Sequence, residues 1–343
     1  MLGKLILKNG EIFEGQSFGY EEARSGELVF STGMVGYPES LTDPSYEGQI
    51  LVATYPIIGS YGVPEKKFWE SDRIHVSGLI VSQYIDTPSH FQSRSTLSEW
   101  LKKEKIPGLV ILDTRYLTQK LRDKGAQLAK IIFEKDIQFD DPNKKNLVDE
   151  VSIKKPLIEG SGKKTVVLID CGVKKNINRS LLEREVTVIT VPWNYNIFKL
   201  REKIDGVVIS NGPGDPKMCD TTIETVKKIF IKKIPLLGIC LGNQIIALAA
   251  GGDTYKMKFG HRGQNQPCVM VGTKKCYLTT QNHGFAIRKI PKNFKPWFVN
   301  ANDKTNEGII HEKLPFMSVQ FHPEATPGPT DTEWIFDEFL KRI

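Results

Sequence analysis

At 343 residues, 40% hydrophobic and 25% charged, the chain has the composition of a soluble globular protein with room for two cores, not of a fibrous or disordered one. Its net charge of +7 comes from scattered lysine pairs such as Lys102-Lys103 and Lys227-Lys228 without interleaved aromatics, which argues against nucleic-acid binding and leaves room for an acidic protein partner. Five cysteines with no C-x-x-C pair speak against a disulfide frame or a zinc site. With a start too short and charged for a signal peptide and no apolar run of membrane-spanning length, a cytoplasmic protein is expected.

In chain order, Leu5-Ile-Leu and Glu11-Ile-Phe flank Lys8-Asn9-Gly10, a hairpin signal. Glu27–Thr32, Ile50–Tyr55, Leu79–Val81 and Val110–Asp113 read as further strands. Ser98–Lys103 and Thr114–Lys124 read as helices, the second stopped by Gly125. Between the strands, the Gly33–Gly48 stretch with Asp43-Pro44-Ser45-Tyr46 reads as a connecting loop. This first part is mixed and strand-rich, without a regular βαβ rhythm. From about Asp140 to Lys164 the composition becomes that of a connector, and the division expected is a domain over 1–150, a linker over 151–164 and a second domain over 165–343. In the last of these, short apolar runs at Val166–Asp170, Val186–Val191, Gly206–Ser210 and Leu236–Ile239 alternate with helical stretches at Asn176–Glu185 and Thr222–Lys233. That rhythm predicts an α/β fold, a parallel sheet covered on both faces, whose ligands bind beyond the carboxyl ends of the strands.

Two features sit at such ends. Gly238-Ile239-Cys240-Leu241-Gly242 is G-x-C-x-G, the thiol form of a nucleophile elbow, in which the glycines relieve crowding where a strand turns sharply into a helix. A thiol there lies at the positive end of the following helix, which favours thiolate. On the motif alone a buried structural cysteine is an equal reading. The loop Ser210-Asn-Gly-Pro-Gly-Asp-Pro216 follows the preceding strand and brings backbone N–H groups toward any ligand, although such loops are more often plain turns. Near the end of the chain, His322-Pro323-Glu324 closes another strand, and a helix is expected over Thr332–Lys341. A histidine with a carboxylate two residues on is the base-plus-orienter half of a triad.

GICLGNQ, NGPGDP and FHPE resemble a class I (triad) glutamine amidotransferase domain. The Ser45 loop, KFGHRGQNQP, QNHGFA and HPEATPGP narrow the resemblance to the small, glutaminase subunit of carbamoyl phosphate synthetases, over essentially the whole chain. What it implies is a class I amidotransferase domain preceded by the smaller small-subunit domain. Cys240 would be the nucleophile, His322 the acid/base, Glu324 its orienting carboxylate, and the backbone N–H groups of Gly212 and Leu241 the oxyanion hole. Ser45, Gly212, Gly214, Leu241, Gln244, Asn282, Gly284 and Phe285 would hold L-glutamine, with Ser45 reaching the site from the other domain. No metal or cofactor is expected in this chain, which lacks G-x-x-x-x-G-K-[ST]. ATP and magnesium would belong to a large synthetase subunit in a heterodimer or higher oligomer, its product serving arginine or pyrimidine synthesis.

The chemistry expected is attack of the thiolate on the glutamine carboxamide, release of ammonia to the partner, and hydrolysis of a thioester. One residue departs from the family: Asn243 stands where it usually has histidine. His283 is expected to be structural or supporting, Cys219 inert, and His261 and Arg262 loop residues near the site. A glutaminase subunit of another synthase and an inactive regulatory subunit are the competing readings. The first 150 residues speak against one, the intact triad against the other.

Overall fold

The hairpin at the start of the chain is the first turn of a closed barrel. The computed structural model describes residues 1–343 and divides into two units, Met1–Lys145 and Asn146–Ile343. In the first, β1 (Leu2–Leu7) and β2 (Ile12–Ser17) pair antiparallel across the Asn9-Gly10 turn. With β3 (Arg24–Ser31), β4 (Gln49–Ala53), β5 (Gly78–Val81), β6 (Gly108–Val110) and β7 (Gln127–Ile132) they close in the order β1-β2-β6-β5-β4-β3-β7. The run β3-β4-β5-β6 is parallel. The Gly33–Gly48 stretch is more than a loop: it holds helix α1 (Tyr37–Leu41) and a single 3-10 turn, Pro44–Tyr46, capped by the Asp43 carboxylate accepting from the Ser45 N–H at 2.9 Å. Helix α2 (Leu97–Lys103) starts at a capping box between Thr96 and Glu99. The strand predicted over Val110–Asp113 is met only at Val110, because Asp113 caps α3 (Thr114–Lys124) and draws the chain out of the sheet.

The stretch predicted as a linker is structured. It contributes α4 (Leu147–Val151) and β8 (Leu157–Glu159), and it belongs to the second unit, which begins at Asn146 rather than at the predicted 165. Its lysines and prolines obscure a three-residue edge strand that pairs antiparallel with one neighbour.

The sheet of the second unit has ten strands. β9 (Thr165–Asp170), β10 (Thr187–Pro192), β11 (Gly206–Ile209), β12 (Leu236–Ile239) and, from much later in the chain, β17 (Phe316–Val319) run parallel in the order β10-β9-β11-β12-β17. Beyond β17 the sheet becomes antiparallel through β16 (Asn306–His311), β15 (Phe294–Asn300), β13 (Asp253–Met270) and β14 (Cys276–Lys289), and β8 closes the other edge. The parallel strands are largely apolar because both faces are covered. Val167, Ile169, Val207 and Ile209 pack under α6 (Asp220–Lys232) and α7 (Leu241–Ala249). Val166, Leu168, Val208 and Leu237 pack under α5 (Lys175–Leu182) and α8 (Trp334–Leu340). No helix is long and apolar enough to cross a membrane.

Candidate active site

Three neighbouring parallel strands, β11, β12 and β17, deliver the three predicted motifs to one edge of the sheet. The turn from β12 into α7 is as tight as the glycines imply. A Cβ on Gly238 would come within 2.6 Å of the Gly242 backbone, and one on Gly242 would overlap the Ile209 carbonyl oxygen on β11. Cys240 itself sits at φ 54°, ψ −101°, a conformation that costs a non-glycine residue about 1–3 kcal/mol and recurs where function demands it. The buried Cys240 Sγ lies 3.7 Å from the Asn282 carbonyl oxygen on β14. The N–H groups of Leu241 and Gly212 have no acceptor within the protein, and a Cβ on Gly212 would lie 2.9 Å from Leu241 Cδ2, so the two predicted oxyanion donors are neighbours.

His322 follows β17 and is anchored by its N–H donating to the Thr280 carbonyl at 2.9 Å. Its Nδ1 lies 2.6 Å from Glu324 Oε1, and its Nε2 is left without a hydrogen-bond partner. Glu324 is fully buried, and Lys174 Nζ, equally hidden, donates to its Oε1 at 3.0 Å and to the Ala325 carbonyl at 2.6 Å. Burial is the strongest single influence on His322 and opposes its charge, as does Lys174. The Glu324 carboxylate and the Cys240 thiol outweigh both and push the imidazole up to about 10. For Glu324 burial likewise opposes charge, but Lys174 and His322 hold it down at about 2. Near neutral pH the edge therefore carries an imidazolium whose free Nε2 can deliver a proton, steadied by a carboxylate that stays ionised. Sequence reasoning missed Lys174. Its signal is position: a lysine just past the end of β9 in a sheet whose ligands gather at that edge.

The glutamine-binding set falls partly together. Gln244 Nε2 donates to the Phe285 carbonyl at 2.8 Å and approaches Gln320 Oε1 at 3.1 Å, so α7 is tied to the β14 segment carrying Asn282, Gly284 and Phe285. Gly214 lies in the loop after β11 at φ 82°. Ser45 lies in the first unit, buried in the 3-10 turn described above. Asn243, the family departure, is buried inside the unit: Ser318 Oγ donates to its Oδ1 at 2.8 Å and its Nδ2 donates to Gln320 Oε1 at 3.2 Å. It is a structural cross-link between α7 and the end of β17. Cys219 is buried ahead of α6 and its thiol is pushed up to about 12 by burial, as an inert group should be. His261 and Arg262 are not loop residues; they lie within β13, and His261 pairs directly with His283 on β14. The donor atoms of His261, His283 and Glu307 cluster within 4.8 Å, and each of the three is also tied outward, to Asp303, to Gln281 and Phe285, and to Gln281.

Residues 167–342 match the family model for class-I glutamine amidotransferases. The chain belongs to that family. The first unit of this amidotransferase matches, over residues 5–131, the CPSase domain of the carbamoyl-phosphate synthase small chain. It is 49% identical over 357 residues to the multifunctional protein CAD of Squalus acanthias and 46% identical over 386 residues to the multifunctional protein URA2 of Saccharomyces cerevisiae, in each case across 99% of this chain. It is 47% identical over 353 residues to the mitochondrial carbamoyl-phosphate synthase [ammonia] of Homo sapiens, again across 99% of its length. The chain spans only 16%, 17% and 23% of these three proteins.

Proposed function

We propose that this amidotransferase is the glutaminase part of a glutamine-dependent carbamoyl phosphate synthetase. The observation that carries the reading is the convergence of Cys240, His322 and Glu324 at the ends of adjacent strands, with the N–H of Leu241 next in the chain to the cysteine and that of Gly212 on the neighbouring loop. The Cys240 thiolate attacks the carboxamide carbon of glutamine, and the oxyanion is met by the N–H groups of Gly212 and Leu241. His322 gives its Nε2 proton to the departing nitrogen, so ammonia leaves and a thioester remains. The imidazole then takes a proton from water, hydroxide adds to the thioester, and glutamate departs with the thiolate restored. Glu324 and Lys174 hold the imidazole in register throughout. Gln244, Asn282, Gly284, Phe285 and Gly214 are the groups we assign to glutamine, and Ser45 joins them on family likeness alone. Ammonia passes to an ATP- and bicarbonate-using synthetase region, which carries the nucleotide and magnesium, this chain needing no cofactor of its own. A reducing compartment such as the cytosol suits the nucleophilic thiol.

The human relative is named as an ammonia-using synthase, which favours testing the alternative of a module that does not hydrolyse glutamine. Glutamate release by the full-length protein decides between them. Release that disappears in Cys240→Ser while ammonia-driven synthesis persists supports the glutaminase; wild-type protein that consumes only ammonia refutes it.

A further inference from the structure

The antiparallel half of the sheet carries a second buried histidine–carboxylate group that the mechanism above does not use. His261 on β13 and His283 on β14 face each other across the ladder, rings 5.1 Å apart and edge to face. His261 Nε2 lies 2.8 Å from Asp303 Oδ2, and its Nδ1 lies 3.3 Å from Glu307 Oε1 on β16. Glu307 is fully buried, and its other oxygen accepts from Gln281 Nε2 at 3.0 Å. That same Nε2 also faces Thr279 Oγ1 at 3.2 Å and Cys268 Sγ at 3.3 Å, groups that can donate as well as accept, so it is the Glu307 carboxylate, an acceptor only, that orients the Gln281 amide. Its Oε1 is thereby turned toward His283 Nε2 at 3.0 Å, while His283 Nδ1 faces the Phe285 carbonyl at 2.8 Å. The chain of contacts runs from Asp303, partly exposed, to the β14 segment that passes Cys240 and carries the glutamine-binding groups.

Counting protons shows what this chain decides. Both nitrogens of His283 face oxygens, yet a neutral imidazole has one proton to give. Burial, with His261, Arg262 and His322 nearby, drives His283 well toward the neutral form. The Phe285 carbonyl and Gln281 Oε1 both call for that proton, and the Gln281 orientation that presents Oε1 depends on Glu307 being a carboxylate. Burial raises Glu307, with His261 the first of the groups that oppose it. His261 is the charged group set against an ionised Glu307, whose Oε1 also accepts from Thr305 Oγ1 at 3.2 Å and Asn300 Nδ2 at 3.4 Å.

We propose that His261 is a positioning residue for glutamine: its imidazolium, clamped between Asp303 and Glu307, keeps Glu307 a carboxylate and through Gln281 and His283 fixes the backbone of residues 281–285 on which the substrate lies. This rests on the glutaminase reading. Burial alone would lower His261, and the two carboxylates overcome it and raise it above its ordinary 6.5. The titratable and charged groups around it are Asp303 and Glu307, His283 across the ladder, Arg262 beside it on β13, and Tyr255, which feels the same two carboxylates. A raised histidine holds its charge below that value and loses it as pH rises through it. Glutamine KM should therefore climb on the alkaline side as His261 loses its charge.

The test is glutamate release by the full-length protein, titrated with glutamine across the neutral and alkaline range, beside calorimetric glutamine binding. His261→Gln should raise KM on the order of tenfold with little change in kcat, and should abolish the alkaline rise. Adding Glu307→Gln should bring KM back toward wild type, since the stranded carboxylate is gone. Asp303→Asn, at the exposed end and no threat to folding, should move the alkaline rise down by up to about one pH unit. A double variant worse than either single one, which lost packing would give, overturns the proposal. So does an Asp303→Asn variant whose pH profile is unmoved. Wild-type protein that releases no glutamate sinks the glutaminase reading instead; glutamine affinity indifferent to pH and to His261→Gln then overturns this inference separately.

Discussion

The two halves of the ten-stranded sheet place polar groups by opposite means. In the parallel half the strands β9, β11 and β12 are apolar on both faces, and chemistry appears only where they end, at Lys174, at Gly212 and at Cys240. Position there is a property of the backbone: a strained elbow, a tight loop, a helix start. In the antiparallel half, Thr279, Gln281, His283 and Glu307 are buried within the strands themselves. Position there depends on side-chain hydrogen bonds and on which carboxylate is charged. Cys240 and His322 thus stand at the ends of parallel strands, whereas Asn282, Gly284 and Phe285 stand on the antiparallel ladder.

Breaking the backbone-determined half should produce the largest effects. Cys240→Ser should lower glutamate release by roughly 10⁴-fold or more while ammonia-driven synthesis by the full-length protein continues. Loss of both would mean that the elbow is structural only. His322→Asn should cost nearly as much, about 10³–10⁴-fold in kcat, because no other group offers a free nitrogen to the leaving amine. Near wild-type turnover in that variant would displace His322 from its role.

Glu324→Gln sharpens the contrast, because it removes an orienting group and also strands the buried Lys174. Urea unfolding should show a loss of about 3–5 kcal/mol, as for other broken buried pairs, partly recovered in Lys174→Met/Glu324→Gln. The signs of the two shifts give the pH dependence. The raised His322 stabilises fully below its ordinary 6.5, and that contribution is lost as pH rises through about 10. The depressed Glu324 stabilises above its ordinary 4.5, and that contribution is lost as pH falls toward about 2. A wild-type stability plateau between those limits, with the alkaline fall moved to lower pH by Glu324→Gln, is the expected result of unfolding measured against pH.

Smaller effects should come from residues that support without reacting. Gly242→Ala forces a methyl group against the Ile209 carbonyl and should cost about 1–3 kcal/mol, with activity falling as Cys240 shifts. Asn243→Ala should cost a comparable or smaller amount by leaving Ser318 and Gln320 short of partners. Its kcat should stay within a few-fold of wild type; a large drop would give position 243 a catalytic part that its hydrogen bonds do not suggest.

The sequence by itself determined the parallel half and its edge. β-branched apolar runs at regular spacing mark β9 to β12, and glycines two residues either side of Cys240 mark the elbow, because both are dictated by local sterics and by burial on two faces. Cys240, His322 and Glu324 were legible for the same reason: each lies within a short motif at a strand end. The four strands from Asp253 to His311 left no comparable pattern, since buried Thr, Gln, His and Glu, which look like surface residues until partners are counted, interrupt their apolar positions. The connector with β8 was hidden likewise among lysines and prolines. Only the tertiary structure brought Lys174 to Glu324 across 150 positions of chain, and His261 to Asp303 and Glu307, because the charge of a buried group is decided by what folding sets beside it and not by its neighbours in sequence.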